Sequence, residues 1–322
     1  MRRFLLASML ALIVVHAAPA GAQSLGIAAG QQGSNNFGSN SAVAKVLSEE
    51  AKFDVRLQSY GGAGLFMPLI DEGSMDLTAT TSPELADAVL GQDAFKGRAL
   101  KNLRIVAVLP ALYSGLFVRK DSPHQTVADI KGLRVPTAYS AQPAIQRFLQ
   151  ANLANAGLTL KDVKGVPVPS IVRGADAFVA GNVDVGHFAL GAGKVIEVDS
   201  TVGGIRFLKL STDREAVARM QKLVPGSYVH VEKPRPGLVG IPEPTGVFAF
   251  DYYLVAGKHV PNNVVDRIVR TVAANAEKLG EYHKQYRGFS PDIMVKPLPD
   301  GIEWHPGVIK RYTETGQWPP KS

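Results

Sequence analysis

Short apolar runs alternate with amphipathic stretches along most of this chain, and this alternation predicts a parallel α/β structure. The first apolar run, Leu25–Ala29, predicts a strand. It passes through a glycine-containing loop into a helix with Val43, Val46, Leu47 and Ala51 on one face. Further strands are predicted at Phe53–Ser59, Met75–Ser82, Leu103–Leu109 and Gly115–Lys120, with a helix at Leu65–Asp71. We expect these elements to form one lobe.

The middle of the chain repeats this order of elements. Strands are predicted at Leu133–Pro136, Val166–Val168 and Asp184–Phe188, with helices at Ala144–Ala156 and Gly174–Ala180. The motif Gly73-x-x-Asp76 recurs as Gly181-x-x-Asp184, since 181 − 73 and 184 − 76 both equal 108. The repeat predicts a second lobe of like topology. Because open parallel sheets bind ligands at the carboxyl ends of their strands, we expect a cleft between the two lobes.

The remaining third of the chain is predicted to return to the first lobe. The apolar segment Thr245–Ala256 predicts a strand pair, and Lys222–Pro244, rich in proline and glycine, predicts a loop beside it. Helices around Asn263–Arg287 and Pro306–Thr313 complete the chain. We therefore expect lobe I in residues 23–120 and 246–322, and lobe II in residues 121–245.

The N-terminus has the pattern of a secretory signal peptide. Arg2 and Arg3 precede the apolar run Phe4–Val15, and small residues at Ala20 and Ala22 precede the expected cleavage site after Ala22. This apolar core is shorter than the roughly 20 residues of a membrane-spanning helix. We expect residues 1–22 to be removed and the mature protein to be periplasmic.

Composition narrows the function classes. The chain has no cysteine, which excludes disulfides, thiol nucleophiles and thiolate metal sites. Its formal net charge of +7 includes Arg2 and Arg3, and the remaining basic residues are scattered among acids, so we expect no nucleic-acid partner. There is no Gly-x-Ser-x-Gly elbow and no His-Glu-x-x-His spacing. We therefore expect neither catalysis, nor a metal, nor a cofactor.

Candidate ligand-binding residues follow the predicted strand ends of the first lobe. They are Ser34, Asn35, Asn36, Phe37, Tyr60, Gly61, Thr80, Thr81 and Ser82. A strand that runs into a helix N-terminus presents unpaired backbone N–H groups and the positive end of the helix dipole. Asn35 and Asn36 either bind ligand there or cap the helix. Phe37 either packs at the helix start or stacks on a ligand.

The second lobe offers an equivalent set. Tyr139, Ser140 and Gln142 follow its first predicted strand, at the place that corresponds to the first loop of lobe I. Arg173 precedes a helix and is placed to bind a carboxylate in bidentate fashion, or it is a solvated surface arginine. His187 ends an apolar strand, where it is either a structural histidine or a ligand contact.

Four stretches together carry a resemblance to a known family. They are Gly30-x-x-Gly33 before an aromatic residue and a helix; Tyr60-Gly61-Gly62 followed by Gly73-x-x-Asp76; Leu103–Val118 with Asp129–Val135; and His305–Tyr312 ending in Glu314-x-Gly316. The chain resembles the solute receptors of TRAP transporters of the TAXI class (TRAP-associated extracytoplasmic immunogenic proteins). The resemblance implies a monomeric, two-lobed type II periplasmic binding protein that closes about a hinge on a small organic solute.

The same resemblance implies a partner and a ligand class. A fused TRAP membrane permease would receive the solute, and an organic acid, an amino acid or an aromatic compound would be the ligand. His305 belongs to the C-terminal packing motif in this comparison. The chain departs from the family pattern at Asn35-Asn36-Phe37, at Ala63 and Phe66, and at Tyr139–Pro143, so the ligand stays open. The alternative function is that of a ligand-binding protein for an ABC importer or a sensor kinase. An exported enzyme is a weaker alternative.

Overall fold

The computed structural model describes residues 23–321, so the predicted signal peptide lies outside the described residues. The strands are β1 (Ser24–Ala29), β2 (Asp54–Ser59), β3 (Leu77–Thr81), β4 (Leu103–Arg119), β5 (Arg134–Ala138), β6 (Lys164–Val168), β7 (Gly186–Ala189), β8 (Ile205–Phe207), β9 (Tyr228–Glu232) and β10 (Thr245–Gly257). The α-helices are α1 (Asn35–Ala51), α2 (Ala63–Asp71), α3 (Ser82–Leu90), α4 (Pro143–Asn155), α5 (Ile171–Val179), α6 (Gly193–Val202), α7 (Arg214–Leu223), α8 (Asn262–Ala274), α9 (Ala276–Tyr282) and α10 (Pro306–Glu314). Among the helices of this described part, none is long and apolar enough to cross a membrane.

The two predicted repeats are present as two units of the same order, strand–helix–strand–helix–strand. The first runs from β1 to β3 and the second from β5 to β7. Helices α2 and α5 both contain nine residues and begin at Ala63 and Ile171, which differ by 108 positions. Helices α1 and α4 begin at Asn35 and Pro143, again 108 apart. The agreement of whole helices supports the repeat that the short glycine–aspartate motif indicated.

The repeated aspartates do the same structural work in both units. Asp76 Oδ2 accepts a hydrogen bond of 2.7 Å from the backbone N–H of Gly26, and Asp184 Oδ2 accepts one of 2.9 Å from that of Arg134. Each aspartate precedes the third strand of its unit and ties it to the first. Gly73 in the first unit and Gly181 in the second adopt a positive φ, which favours glycine. This conformation ends the second helix of each unit and lets the chain turn into the third strand.

Two long strands cross from one unit to the other. The main sheet has the order β2-β1-β3-β10-β4-β7, with β8 paired to β4 and β9 paired to β10, while β5 and β6 pair separately. Strand β4 contains 17 residues and β10 contains 13, and they run antiparallel to each other. The first half of β4 pairs with the second half of β10, which in turn pairs with β3 of the first unit. The second half of β4 pairs with β7 and β8. We call β4 and β10 the hinge strands.

Two sequence predictions about these strands are wrong. Leu103–Leu109 and Gly115–Lys120 are parts of one strand, β4, and Thr245–Ala256 is one strand rather than a pair. The register shifts where Phe250 pairs with Leu112 and Tyr252 pairs with Leu109, so that two residues of β4 face one of β10. One of these is Pro110, which has no N–H to donate to the ladder. The bulge made the sequence look interrupted, although the ladder continues on both sides.

The segment Lys222–Pro244, predicted as a loop, contains strand β9. This strand pairs with the first half of β10, and one of its residues, Val231, stays exposed.

Helices α6 and α7 were also not predicted. Their sequences are short and largely polar, and they become helical where they pack on neighbouring elements, α6 on α5 and α7 on α4. Tertiary contact overrides weak local patterns in such segments.

Aromatic side chains pack the hinge strands against the second unit. The ring of Phe148 in α4 lies 4.9 Å from that of Phe250, and Phe250 lies 5.3 Å from Phe248, both centroid to centroid. All three side chains are buried, and each contributes about 2–3 kcal/mol of transfer free energy. They position the floor of the cleft.

At the C-terminus, buried His305 caps α10 by accepting a hydrogen bond of 3.1 Å from the N–H of Gly307, in line with its expected structural place.

Candidate functional site

Five helix N-termini converge on the space between the two units. The residues that begin these helices or directly precede them, and that face this space, are Ser34 at α1, Gly62 at α2, Thr81 at α3, Gln142 at α4 and Ile171 at α5. The first N–H groups of a helix have no partner within the helix, and the helix dipole is positive at that end. The repeated strand–turn–helix units therefore direct five positive dipole ends at this space. Three of these ends are already capped by side chains, since Ser34 Oγ, Thr81 Oγ1 and Gln142 Oε1 each accept a hydrogen bond from a backbone N–H of a first helical turn.

These termini enclose a cavity of about 90 Å³, which we call the inner cavity. Its walls are mainly apolar and aromatic, with Phe66, Leu112, Ile145, Phe148, Ile171, Phe188, Phe250 and Tyr252. Polar side chains are interspersed, namely Ser34, Asn35, Asn36, Thr81, Glu84, Ser114, Gln142 and His187. Mostly apolar walls with a few convergent polar groups are typical of small-molecule sites.

The two units touch each other across the cleft. Gln142 Nε2 donates a hydrogen bond of 3.1 Å to the carbonyl of Gly61. Arg147 of α4 forms a two-armed ion pair with Asp87 of α3, with one N–O distance of 2.8 Å. The side chain of Asp87 is only 6% exposed. A Cβ on Gly62 would stand 2.5 Å from the carbonyl of Ala141, so only glycine allows the chains to approach this closely.

Two buried polar atoms at the inner cavity have no hydrogen-bond partner among the described residues. They are Ser114 Oγ on hinge strand β4 and His187 Nδ1 on β7. Burial lowers the pKa of His187 to about 4, so its ring is neutral at physiological pH. Buried polar groups in native proteins are nearly always paired, so an unpaired atom that lines a cavity marks a place where a ligand or water binds.

Asn36 and Asn35 have different roles in the first loop. Asn36 Oδ1 accepts a hydrogen bond of 2.6 Å from the N–H of Gly30, and its Nδ2 donates one of 2.7 Å to the carbonyl of Ala79. Asn36 thus joins the residue after β1 to the middle of β3 and shapes the wall. Asn35 Nδ2 donates to Gln285 Oε1 at 2.6 Å, which fixes it at one end of the cavity. The helix cap itself is Ser34, whose Oγ accepts from the N–H of Phe37.

The electrostatics of the inner cavity differ from those of a site built around an arginine. Its described lining contains no lysine or arginine and one acid, Glu84. Burial raises the pKa of Glu84, and its Oε2 accepts a hydrogen bond of 2.7 Å from Thr81 Oγ1. The cavity can therefore bind a solute through helix dipoles, hydroxyls and amides. Among residues 23–321, no group of three His, Asp or Glu side chains could hold a metal ion.

The structure brings together six of the residues proposed from the sequence. Ser34, Asn35, Asn36, Thr81, Gln142 and His187 all line the inner cavity. The other eight lie outside its lining, namely Phe37, Tyr60, Gly61, Thr80, Ser82, Tyr139, Ser140 and Arg173. Of these, Gly61 still takes part in closure through its carbonyl. Their contact with a ligand stays a prediction.

Several of these eight have other partners. Tyr60 donates a hydrogen bond of 2.8 Å to Gln58, while Phe37 and Ser82 are half-buried, Thr80 is buried and Ser140 is exposed. The Arg173 side chain is 68% exposed and pairs with Asp176 at 3.0 Å. Tyr139 is fully buried, and its ring stands edge-on to that of His187 at 6.2 Å. It lies directly behind the cavity wall rather than in it.

The sequence did not indicate the residues contributed by the hinge strands. Ser114, Leu112, Phe250 and Tyr252 line the inner cavity from β4 and β10. One signal was present, because Ser114 is a polar residue within a long apolar run. Buried strands rarely carry an unpaired hydroxyl, so this position could have been chosen as a candidate.

Comparison with known proteins identifies a family. The model of the NMT1-like family matches residues 27–316, which is nearly the whole of the described chain. No curated protein matches the chain in sequence.

Solved structures share the fold at low sequence identity. MatC from Rhodopseudomonas palustris, with bound malate, is 14% identical, has a TM-score of 0.56, and aligns over 92% of this chain and 96% of its own. PhnD1 from Prochlorococcus marinus, in complex with methylphosphonate, is 12% identical with a TM-score of 0.55, over 92% and 99% of the two chains. A binding protein component of an ABC phosphonate transporter from Pseudomonas aeruginosa is 11% identical with a TM-score of 0.51, over 82% and 79%. The chain thus has the two-lobed fold of type II periplasmic binding proteins, as the sequence predicted.

Proposed function

The chain belongs to the NMT1-like family, and we propose that it is a periplasmic receptor that captures a small organic solute in the inner cavity. Capture is by closure of the two units about the hinge strands, without chemical conversion of the solute. Contacts made only in the closed form, such as Gln142 to Gly61 and Arg147 to Asp87, favour that form once a ligand bridges the units.

One observation carries this proposal. Ser114 Oγ and His187 Nδ1 are buried without a hydrogen-bond partner among residues 23–321, at the space on which five helix N-termini converge. A buried unpaired polar group costs about 1–3 kcal/mol, and a bound solute that pairs with it removes this cost. The two residues lie on hinge strand β4 and on β7 of the second unit, and the facing wall carries Ser34 and Thr81 of the first unit. A solute held by both walls therefore links ligand binding to closure.

The cavity favours a small organic acid with an apolar part as the ligand. Its volume of about 90 Å³ is several times the roughly 10–15 Å³ that one water needs, and it is below the range of drug-sized pockets. Helix N-termini bind anionic groups without a charged side chain. The malate and methylphosphonate of the structural neighbours are both small acids. We assign the acidic group to the helix termini and give Arg173 no role in this proposal.

For the membrane partner, we propose an ABC importer in place of the TRAP permease expected from the sequence. The neighbour from an ABC phosphonate transporter supports this choice. A sensor kinase remains the second candidate from the sequence. Cross-linking of the receptor to native membranes, followed by mass spectrometry, distinguishes these partners. Capture of a permease with nucleotide-binding subunits supports the importer, whereas capture of a fused TRAP permease or of a kinase overturns it.

The ligand is tested by a thermal-shift screen of small mono- and dicarboxylates, phosphonates and aromatic acids. A ligand that binds only the folded state raises the melting temperature with concentration. Calorimetric titration of each hit then compares the wild type with Ser114→Ala, for which we expect at least tenfold weaker binding. The control is Ser74→Ala, because Ser74 is an exposed serine outside the lining. Equal affinity in Ser114→Ala and the wild type would contradict the proposed site.

A further inference from the structure

A second and larger cavity lies beside the hinge strands. It has a volume of about 700 Å³, and we call it the outer chamber. Its walls come from residues 108–113 of β4, from β9, from the turn at residues 235–238, and from residues 284–296. Asn35 of the first unit and Leu190 and Gly191, which follow β7 of the second, also line it. Its volume lies within the usual range of small-molecule sites, about 300–1,000 Å³.

The outer chamber adjoins the inner cavity where Asn35 meets Gln285. Asn35 Nδ2 donates to Gln285 Oε1 at 2.6 Å, and Gln285 Nε2 donates to the carbonyl of Pro110 at 2.8 Å. Asn35 and Leu112 line both cavities. The outer chamber is thus a neighbour of the proposed ligand site, but its lining is chemically different.

The outer chamber has an excess of positive charge. Four basic residues, Arg235, Lys284, Arg287 and Lys296, and two acidic residues, Glu232 and Asp251, line it. Arg235 pairs with Glu232 at 3.3 Å, and Lys296 pairs with Asp251. Within the described part of the chain, Lys284 and Arg287 form no ion pair with an acid.

The charged groups of Lys284 and Arg287 lie close together beside Gly237. A Cβ on Gly237 would stand 3.5 Å from Arg287 Nη1 and 3.8 Å from Lys284 Nζ, so both charged groups lie over this glycine. Lys284 Nζ donates a hydrogen bond of 2.7 Å to the carbonyl of Gly237. Burial, together with the charges of Arg287 and Arg235, lowers the pKa of Lys284. An anion bound between the two heads would relieve their repulsion.

The same chamber has an aromatic wall. The rings of Tyr113 and His230 are stacked in parallel with centroids 4.2 Å apart, and Tyr228 lies beside them in the lining. Stacked rings present a flat face on which another ring can pack. The wall is therefore suited to a planar organic body, whereas the lysine and the arginine are suited to its acidic groups.

We propose that the outer chamber is a second binding site, separate from the inner cavity, that takes an aromatic carboxylate through Lys284 and Arg287. Arg287 binds a carboxylate in bidentate fashion through its planar guanidinium, and Lys284 attracts it through the point charge of its ammonium group. The ring of the ligand packs along Tyr113 and His230. This site goes beyond the proposed function, because it does not depend on what the inner cavity binds.

The test is calorimetric titration of the purified protein with phthalate, which has two adjacent carboxylates on one ring. We expect saturable binding that weakens with added salt, because charge attraction is screened. In Lys284→Gln/Arg287→Gln we expect at least tenfold weaker binding. Arg287→Gln alone should lower affinity severalfold; because Arg287 is exposed, this variant should fold as the wild type does. Lys310→Gln, at a lysine 86% exposed on α10, is the charge-matched control.

Two further measurements separate this site from the inner cavity. Ser114→Ala should bind phthalate as the wild type does, since Ser114 lines only the inner cavity. Cyclohexane-1,2-dicarboxylate has the same acids without an aromatic ring, and we expect it to bind several times more weakly. The proposal is overturned if phthalate does not bind at millimolar concentration, if the double variant keeps wild-type affinity, or if Ser114→Ala abolishes binding. Equal affinity for the saturated diacid would overturn the role of the aromatic wall.

Discussion

The two repeated units share a backbone plan but differ in the chemistry of their first loops. In the first unit, the loop after β1 turns at Gly33, whose φ of +87° suits glycine. In the second unit, the corresponding turn uses Ala138 and Tyr139, with φ of +68° and +40°, which side-chain-bearing residues rarely adopt. This strained turn holds the buried Tyr139 ring edge-on to His187.

The difference shows how a duplicated framework acquires an asymmetric site. The first unit contributes amides and hydroxyls from its loops, whereas the second contributes Gln142 and His187, with the Tyr139 ring of the strained turn packed edge-on against His187. Strain of this kind persists only where the surroundings hold it in place, and it is found most often at functional sites. The framework provides converging helix ends in both units, and the loop residues make the two walls chemically distinct.

The largest expected effect comes from breaking the ion pair that joins the two units. In Arg147→Ala, Asp87 is left buried without its partner, so we expect a loss of about 3 kcal/mol in the free energy of unfolding. Chemical denaturation measures this loss, and small-angle scattering should show a larger radius of gyration if the cleft opens. The control is Arg173→Ala, whose exposed pair with Asp176 should contribute under 1 kcal/mol. Similar losses in the two variants would show that the pair does not hold the units together.

The second effect concerns the histidine that only the second unit has. At the position 108 residues before His187, the first unit has Ala79. Burial lowers the pKa of His187 to about 4 in the folded state, against about 6.5 unfolded. Below pH 6.5 the unfolded chain therefore binds the extra proton, and stability is lost as pH falls. At pH 5 this proton binding lowers the free energy of unfolding by about 2 kcal/mol.

Removal of the ring should flatten this dependence. In His187→Asn, we expect the decrease in unfolding free energy between pH 7 and pH 5 to be smaller by about 2 kcal/mol than in the wild type. Urea denaturation at both pH values measures it. Some slope will remain, because burial also lowers the pKa of His283 to about 4. His124→Asn, at a half-buried surface position, is the control. An unchanged slope in His187→Asn would show that the ring is protonated in the folded protein.

The smallest effects test the two turns directly. Gly33→Ala places a side chain at positive φ, and we expect a loss of about 1 kcal/mol, since the nearest atom to the new Cβ, at 3.7 Å, gives no clash. Ala138→Gly should be neutral or stabilising by less than about 1 kcal/mol, because relief of strain is partly offset by a more flexible unfolded chain. Thermal unfolding compares the two. Clear destabilisation by Ala138→Gly would show that the second turn is not strained.

The sequence by itself determined the repeated α/β plan and the glycine–aspartate motif in each unit, as well as the helix that follows the first loop and the helix predicted at Ala144–Ala156. Periodicity and capping residues are local properties, so they can be read without knowledge of distant contacts. The same signals failed at β4 and β10, because pairing across a bulge depends on the partner strand. They also failed for β9 and for helices α6 and α7, which tertiary packing stabilises.

Only the tertiary structure decided which side chains meet. Ser114 and Phe250 lie far apart in the chain and face the same cavity, and Asn35 meets Gln285 across 250 positions. Arg173 pairs with Asp176 three positions along its own helix, and the fold leaves this pair exposed rather than facing the inner cavity. Whether a buried polar atom is paired or free is likewise a property of the packed structure. The sequence therefore determines where binding groups are available, and packing determines which of them face the solute.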